Sequence, residues 1–192
     1  MTSEVIQELK GEHQSFLKKL EKIFQKTQES GFFEDLMSLS LFRTEFLQLN
    51  HEVSSRHHEK EERLFEALIA NPIANQGGPR CNYFMQQKMM NDYTKKVDDF
   101  WKEYTELKLE KDALLVEAQT KGSALSIPLE EHYYLRKLVF MISFEVNLQM
   151  QAIDNYRSAR IKDLFNLYKA MLMSHIEKED QCLFVVLEKL TA

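Results

Sequence analysis

The sequence predicts an all-α protein: an up-down-up-down four-helix bundle with an extra helical segment inserted between the second and third helices. Three observations predict it. Gly and Pro are scarce, 5 and 3 in 192 residues, whereas strand-rich folds consume both in turns. The breakers fall into three clusters, Ser30-Gly31, Asn71-Pro72 through Gly77-Gly78-Pro79, and Lys121-Gly122-Ser123 through Pro128. Between them apolar residues recur at spacings of three and four, the helical period. The length suits a single domain over 1–192 with a substantial core.

Each element follows from its stripe. A first helix over roughly 2–29 shows Ile6, Leu9, His13, Phe16, Leu20 and Ile23 on one face. A second, roughly 34–70, shows Phe46, Asn50, Val53, His57, Glu61, Leu64 and Leu68. The segment over roughly 80–120 has Val97, Phe100, Trp101 and Tyr104 at helical spacing. It reads as an extra helix or helix pair covering the bundle, with a homodimer surface as the second reading. A third helix over roughly 128–155 shows His132, Leu135, Val139, Ile142 and Val146. A fourth, roughly 158–190, shows Leu164, Tyr168, Leu172, His175, Glu179, Cys182 and Val186. Asp154-Asn155 and Ser158 are the turn and N-cap candidates between these two. Each stripe is apolar except at its His or His-Glu positions, which the spacing keeps on the core-facing side.

Those polar positions form an internal echo. Glu12-His13 is followed by His57-His58-Glu59-Lys60-Glu61-Glu62, and Glu131-His132 by His175-Ile176-Glu177-Lys178-Glu179-Asp180. His13 and His57 are 44 residues apart, His132 and His175 43. Two similar helical hairpins give near-equal spacing, and in an up-down-up-down bundle all four His meet in one layer with Glu61 and Glu179. A lone inward His is more often a hydrogen-bonded core residue than a ligand. The joint pattern is different: an unpaired buried carboxylate is costly, and a divalent metal offsets that cost. Imidazole with carboxylate suits Fe, Mn or Zn. The echo selects His57 with Glu61 over the alternative register of His58 with Glu62, placing His58 beside the site. His51 falls on the His58 side, at the surface or outside the ligand layer. Tyr133, Tyr134 and Tyr168 are candidates to support the metals. Tyr168, two turns before His175, would close the bundle beneath them, although a core tyrosine is the commoner outcome.

The net charge is −5, and no basic stripe exists to neutralise phosphates, which argues against nucleic acid as a partner. No apolar run reaches a membrane span, and the N-terminus does not read as a signal peptide. Cys81 and Cys182, far apart in sequence, suggest a reduced, cytoplasmic protein without a disulfide framework. No Gly-rich phosphate loop or Ser-His-Asp arrangement stands out.

Taken together these residues resemble the hemerythrin-like HHE cation-binding family. Its pattern is one His on the first helix, H-x-x-x-E on the second, one His on the third and H-x-x-x-[ED] on the fourth. His13, His57 with Glu61, His132, and His175 with Glu179 match it in turn. Gly77-Gly78-Pro79-Arg80-Cys81, Ile127-Pro128-Leu129-Glu130-Glu131-His132 and Cys182-Leu183-Phe184 also resemble members. The likeness covers most of the chain except about 85–120. It implies a centre of two non-haem Fe ions with oxo or hydroxo and carboxylate bridges, Mn or Zn being alternatives. Oxygen carriers of the family typically have a second His one turn along the third helix, where this chain has Arg136. The resemblance therefore implies a position that is open, water-filled or served by a borrowed ligand, where a diatomic or peroxide ligand would bind. The implied roles are binding O2, NO or peroxide for storage, sensing or stress protection, di-iron oxidoreductase chemistry on peroxide or NO, or iron-responsive regulation. Whether the protein is an enzyme stays open.

Overall fold

A computed structural model describes residues 3–69 and 93–191. Among them every regular element is helical and no strand occurs. In order they are α1 (Ser3–Thr27), a 3₁₀ turn (Phe32–Glu34), α2 (Leu36–Glu52), a π turn (Val53–His57), α3 (His58–Leu68), α4 (Tyr93–Trp101), α5 (Ala113–Thr120), α6 (Ser126–Gln151), α7 (Asn155–Lys178), a second π turn (Glu179–Leu183) and α8 (Phe184–Thr191). The central breaker cluster, Cys81 and the early part of the 80–120 segment lie outside the described residues.

Local chemistry sets the boundaries. Gly31 takes a left-handed φ of 73° just before the 3₁₀ turn, a conformation glycine adopts without steric cost. Asp35 caps α2, accepting from the Ser38 amide at 2.7 Å. α6 starts at Ser126, two residues before the expected 128, because Pro128 is tolerated in a first turn where its missing N–H goes unused. Asp154 caps α7 by accepting from the Tyr156 amide at 3.0 Å. Ser158 is thus inside the helix, donating to the Phe33 carbonyl at 3.2 Å.

Ion pairs reveal the helix directions. Along α1, Lys26 pairs with Glu45, Lys19 with Glu52, and Glu8 with Lys60. The first helix therefore runs antiparallel to α2 and α3. Glu21 with Lys169 and Lys10 with Glu188 do the same for α1 against α7 and α8. Glu145 with Arg157 and Glu131 with His175 set α6 against α7, while α2 packs on α6. The early part of α1, the start of α3, the first turns of α6 and the end of α7 consequently share one level.

That level divides the core. One apolar cluster includes Phe16, Leu20, Phe46, Leu135, Phe165 and Leu172. The other includes Leu9, Leu64, Phe65, Leu129, Leu183 and Phe184. Each helix thus passes from one cluster to the other through its histidine. The 80–120 segment contributes two helices that pack on α6. They are held by Tyr134 donating to Asp98 at 2.9 Å, Lys137 donating to Asp98 at 2.7 Å, and Tyr104 donating to Glu145 at 2.7 Å. Tyr133 donates to the Leu109 carbonyl at 3.3 Å. Tyr133 and Tyr134 therefore serve the inserted segment rather than the histidine layer, a correction to their expected supporting role.

Cys182 is disulfide-bonded, which corrects the expectation of two reduced thiols. Distance along the chain carries no information on distance in the fold. No helix among the described residues is long and apolar enough to cross a membrane.

Candidate metal centre

The apolar stripes deliver the six expected residues to one place. His13, His57, Glu61 and Glu179 offer ligand atoms within 4.8 Å of one another, and so do His58, Glu61, His132 and His175. All seven are buried. Glu61 belongs to both groups. Its Oε1 lies 3.1 Å from His57 Nε2, and its Oε2 lies 3.4 Å from His132 Nε2. Glu179 Oε2 lies 3.3 Å from both His13 Nε2 and His175 Nε2. Each carboxylate therefore reaches across the two groups.

His58 departs from the sequence reading, which set it beside the site. It is 1% exposed, and its ring stacks on His132 with centroids 3.7 Å apart and planes 8° apart. In a regular α-helix neighbours project about 100° apart, so His57 and His58 could not both face the centre. The π turn over Val53–His57 inserts an extra residue into one turn, and π turns of this kind cluster at functional sites. Both imidazoles are then turned inward. His51 is exposed.

Four histidines are aimed by carboxylates. Nδ1 of His13 donates to Asp180 at 2.8 Å, and that of His57 to Glu12 at 2.7 Å. Nδ1 of His132 donates to Glu62, and that of His175 to Glu131, each at 3.2 Å. A proton held on Nδ1 leaves the Nε2 lone pair free, the arrangement that metal-binding histidines use. Behind Glu12 stands Lys60 at 2.6 Å, and behind Glu131 the buried Lys178. These outer residues were missed in the sequence, yet the echo contained them: Glu12 and Glu131 are its E-H glutamates, Lys60 and Lys178 its lysines, Glu62 and Asp180 its final acids.

The inward-facing atoms lack ordinary partners. Both oxygens of Glu61 and Glu179, both nitrogens of His58, and Nε2 of His132 and His175 have no hydrogen bond among the described residues. Nε2 of His13 and of His57 are 2.8 Å apart. With both Nδ1 atoms committed as donors, this contact requires either a shared proton or a cation between the two nitrogens.

The electrostatics agree. Burial lifts Glu61 to about 7 and raises Glu179. Burial lowers His57 and His175. Burial, with the neighbouring imidazoles and Arg136, holds His58 and His132 well below the ordinary histidine value. Burial also pulls His13 down, but Asp180, Glu179 and Glu61 outweigh it and push its imidazole up to about 10. The cluster thus carries buried carboxylates facing imidazoles that are mostly neutral, a donor set short of positive charge. Each of the two groups is of a donor type that could hold a metal ion, and most of its inward-facing atoms are otherwise unsatisfied.

Tyr168, expected beneath the metals, and Arg136, which stands where oxygen carriers of the family have a second His, lie apart from the ligand groups. Tyr168 is fully buried in the large apolar cluster, edge-on to Phe46 at 5.1 Å, and its hydroxyl has no partner among the described residues. Arg136 pairs with Asp112 and lies 3.6 Å from Glu62, so it flanks the site without facing its centre. Comparison with family models, curated proteins and solved structures returns no match.

Proposed function

We propose that this chain is a hemerythrin-like protein whose four-helix bundle, with α2–α3 and α7–α8 each acting as one long helix, holds two non-haem metal ions. Iron is the leading candidate, with manganese or zinc as alternatives. His13, His57 and Glu179 would hold one ion, His58, His132 and His175 the other, and Glu61 would bridge them. Its role is then to bind O2, NO or peroxide for storage, sensing or stress protection. One observation carries this reading: seven buried His and Glu side chains converge in two groups that share Glu61, and five of them turn atoms without a hydrogen-bond partner among the described residues into those groups. Structural histidines would instead be satisfied within the protein.

Bound metal would supply Lewis acidity and, as iron, one-electron redox at a bridged pair. The chain's own residues do the rest. Asp180, Glu12, Glu62 and Glu131 orient the imidazoles and set their tautomers. Phe184 stacks on His13 at 5.5 Å and Phe16 meets His57 edge-on at 5.1 Å, so the layer is walled by apolar rings that limit water.

Supplying Fe(II) anaerobically to the purified chain should give close to two iron atoms per molecule. His57→Ala or His175→Ala should remove most of that metal, whereas His51→Ala should not. A chain that takes up no metal under any loading condition would falsify the reading. Titrating the loaded protein with O2, NO and peroxide then separates roles: a stable, reversible spectral band indicates carriage or sensing, and rapid catalytic loss of peroxide or NO indicates an oxidoreductase.

A further inference from the structure

The E-H and H-x-E-K-E-acid motifs of the two halves differ in polar character at one position. The first half reads His57-His58-Glu59 where the second reads His175-Ile176-Glu177. Ile176 is buried in the large apolar cluster, while His58 has turned into the ligand layer. One group of donors therefore contains three imidazoles and one carboxylate, the other two imidazoles and two carboxylates. Arg136 adds to the imbalance, since it stands next to Glu62, the partner of His132. The equivalent place near His13 is occupied by Leu17.

Resting on the two-metal reading above, we propose that the positions are chemically unequal. The position at His58, His132, His175 and Glu61 selects a nitrogen-preferring ion such as Zn2+ or Fe2+. The position at His13, His57, Glu61 and Glu179 accepts a harder, oxygen-preferring ion such as Mn2+. The reason lies in donor chemistry. Imidazole favours the later first-row ions, and carboxylate suits Mn2+. Glu179 adds a second carboxylate to the oxygen-rich group, which strengthens that position's preference for Mn2+. His58 also differs from the other four in having no carboxylate on either ring nitrogen. It joins the nitrogen-rich set without the orientation that the other rings receive, so the third nitrogen is the device that distinguishes the sites.

The test loads the full-length metal-free chain with one molar equivalent each of Zn2+ and Mn2+, then locates both ions by anomalous scattering at the two absorption edges. The wild-type chain should place Zn2+ predominantly at the nitrogen-rich position and Mn2+ at the other. His58→Ile, which installs the second half's residue, should erase the preference. Loss of a mere outer partner costs roughly 10–100-fold in affinity, so loss of a direct donor should reduce the Zn2+ bias at least about tenfold. His58→Asn repeats the measurement should the isoleucine variant not fold. Equal distribution of the two ions in the wild type overturns the proposal, as does a bias unchanged in both variants. Failure to bind either ion would instead sink the two-metal reading itself.

Discussion

The first helical pair and the second solve the same problem with nearly the same residues. In the first, Lys60 holds Glu12 and Glu12 holds His57; in the second, Lys178 holds Glu131 and Glu131 holds His175. Across the halves, Asp180 aims His13 and Glu62 aims His132. Phe184 covers His13 and Phe65 lies over His132. The difference lies in depth and in one residue. Lys60 reaches solvent, with 36% of its side chain exposed, whereas the Lys178 side chain is 2% exposed. His58 has no counterpart. The comparison teaches that neither half is a finished unit: each lends an acid to the other's histidine, and Glu61 and Glu179 reach over the seam.

The seam should break most completely at Glu61. One of its oxygens faces each histidine group, so Glu61→Gln should remove both ions, with metal content falling from about two per chain toward zero. Glu62→Gln, which removes only the acid behind His132, should weaken uptake by roughly 10–100-fold and leave the fully loaded stoichiometry intact. Elemental analysis after dialysis against graded metal concentrations distinguishes the two. Retention of both ions in Glu61→Gln would show that the carboxylate does not bridge.

A smaller effect separates the two lysines. Lys178→Met strands Glu131 inside the bundle, and breaking a buried pair costs about 3–5 kcal/mol. Lys60→Met removes a partner of Glu12 at the surface, where such pairs are worth at most about 1 kcal/mol. Urea unfolding of the metal-free variants should show the difference as a large fall in midpoint for the first and little for the second. Similar losses would mean that depth does not distinguish the halves.

Much of this arrangement was readable from periodicity. The stripes through His13, His57, His132 and His175 follow a three-four repeat, and burying one side of a helix forces residues on one stripe to one side. The E-H and H-x-E-K-E-acid echo even contained the outer acids and lysines, though a linear motif does not say that Glu12 serves His57 rather than its neighbour His13. His58 was not readable. A strict helical period admits one of two adjacent residues to the core, and nothing in Val53–His57 announces a π turn. The inserted segment was readable as helical, but Tyr133 and Tyr134 face it rather than the site, because both sides of α6 are covered. Cys182 was misread because chain separation is blind to folding.

The finest comparison is between His13 and His132, equivalent by position yet opposite in titration. His13 gains from Asp180, Glu179 and Glu61 and is raised from 6.5 to about 10. His132, with burial and His58, His175 and Arg136 around it, is held well below 6.5. In the metal-free protein, NMR of the ring nitrogens should therefore find His13 protonated and His132 neutral at pH 8. The sign for stability follows from linkage. A group raised on folding binds its proton more tightly in the folded state. Its contribution is complete below the unfolded value of 6.5 and disappears as pH rises through about 10. Glu61, raised to about 7, loses its contribution in the same direction but earlier. The metal-free chain should thus weaken between pH 7 and 10, and His13→Gln should flatten that decline while His132→Gln leaves it in place. Bound metal should abolish the dependence on His13, because a coordinated imidazole has no Nε2 proton to lose. Urea midpoints at pH 7 and pH 10, with and without metal, test each step, and a decline unaltered by His13→Gln would show that the first half does not hold the proton.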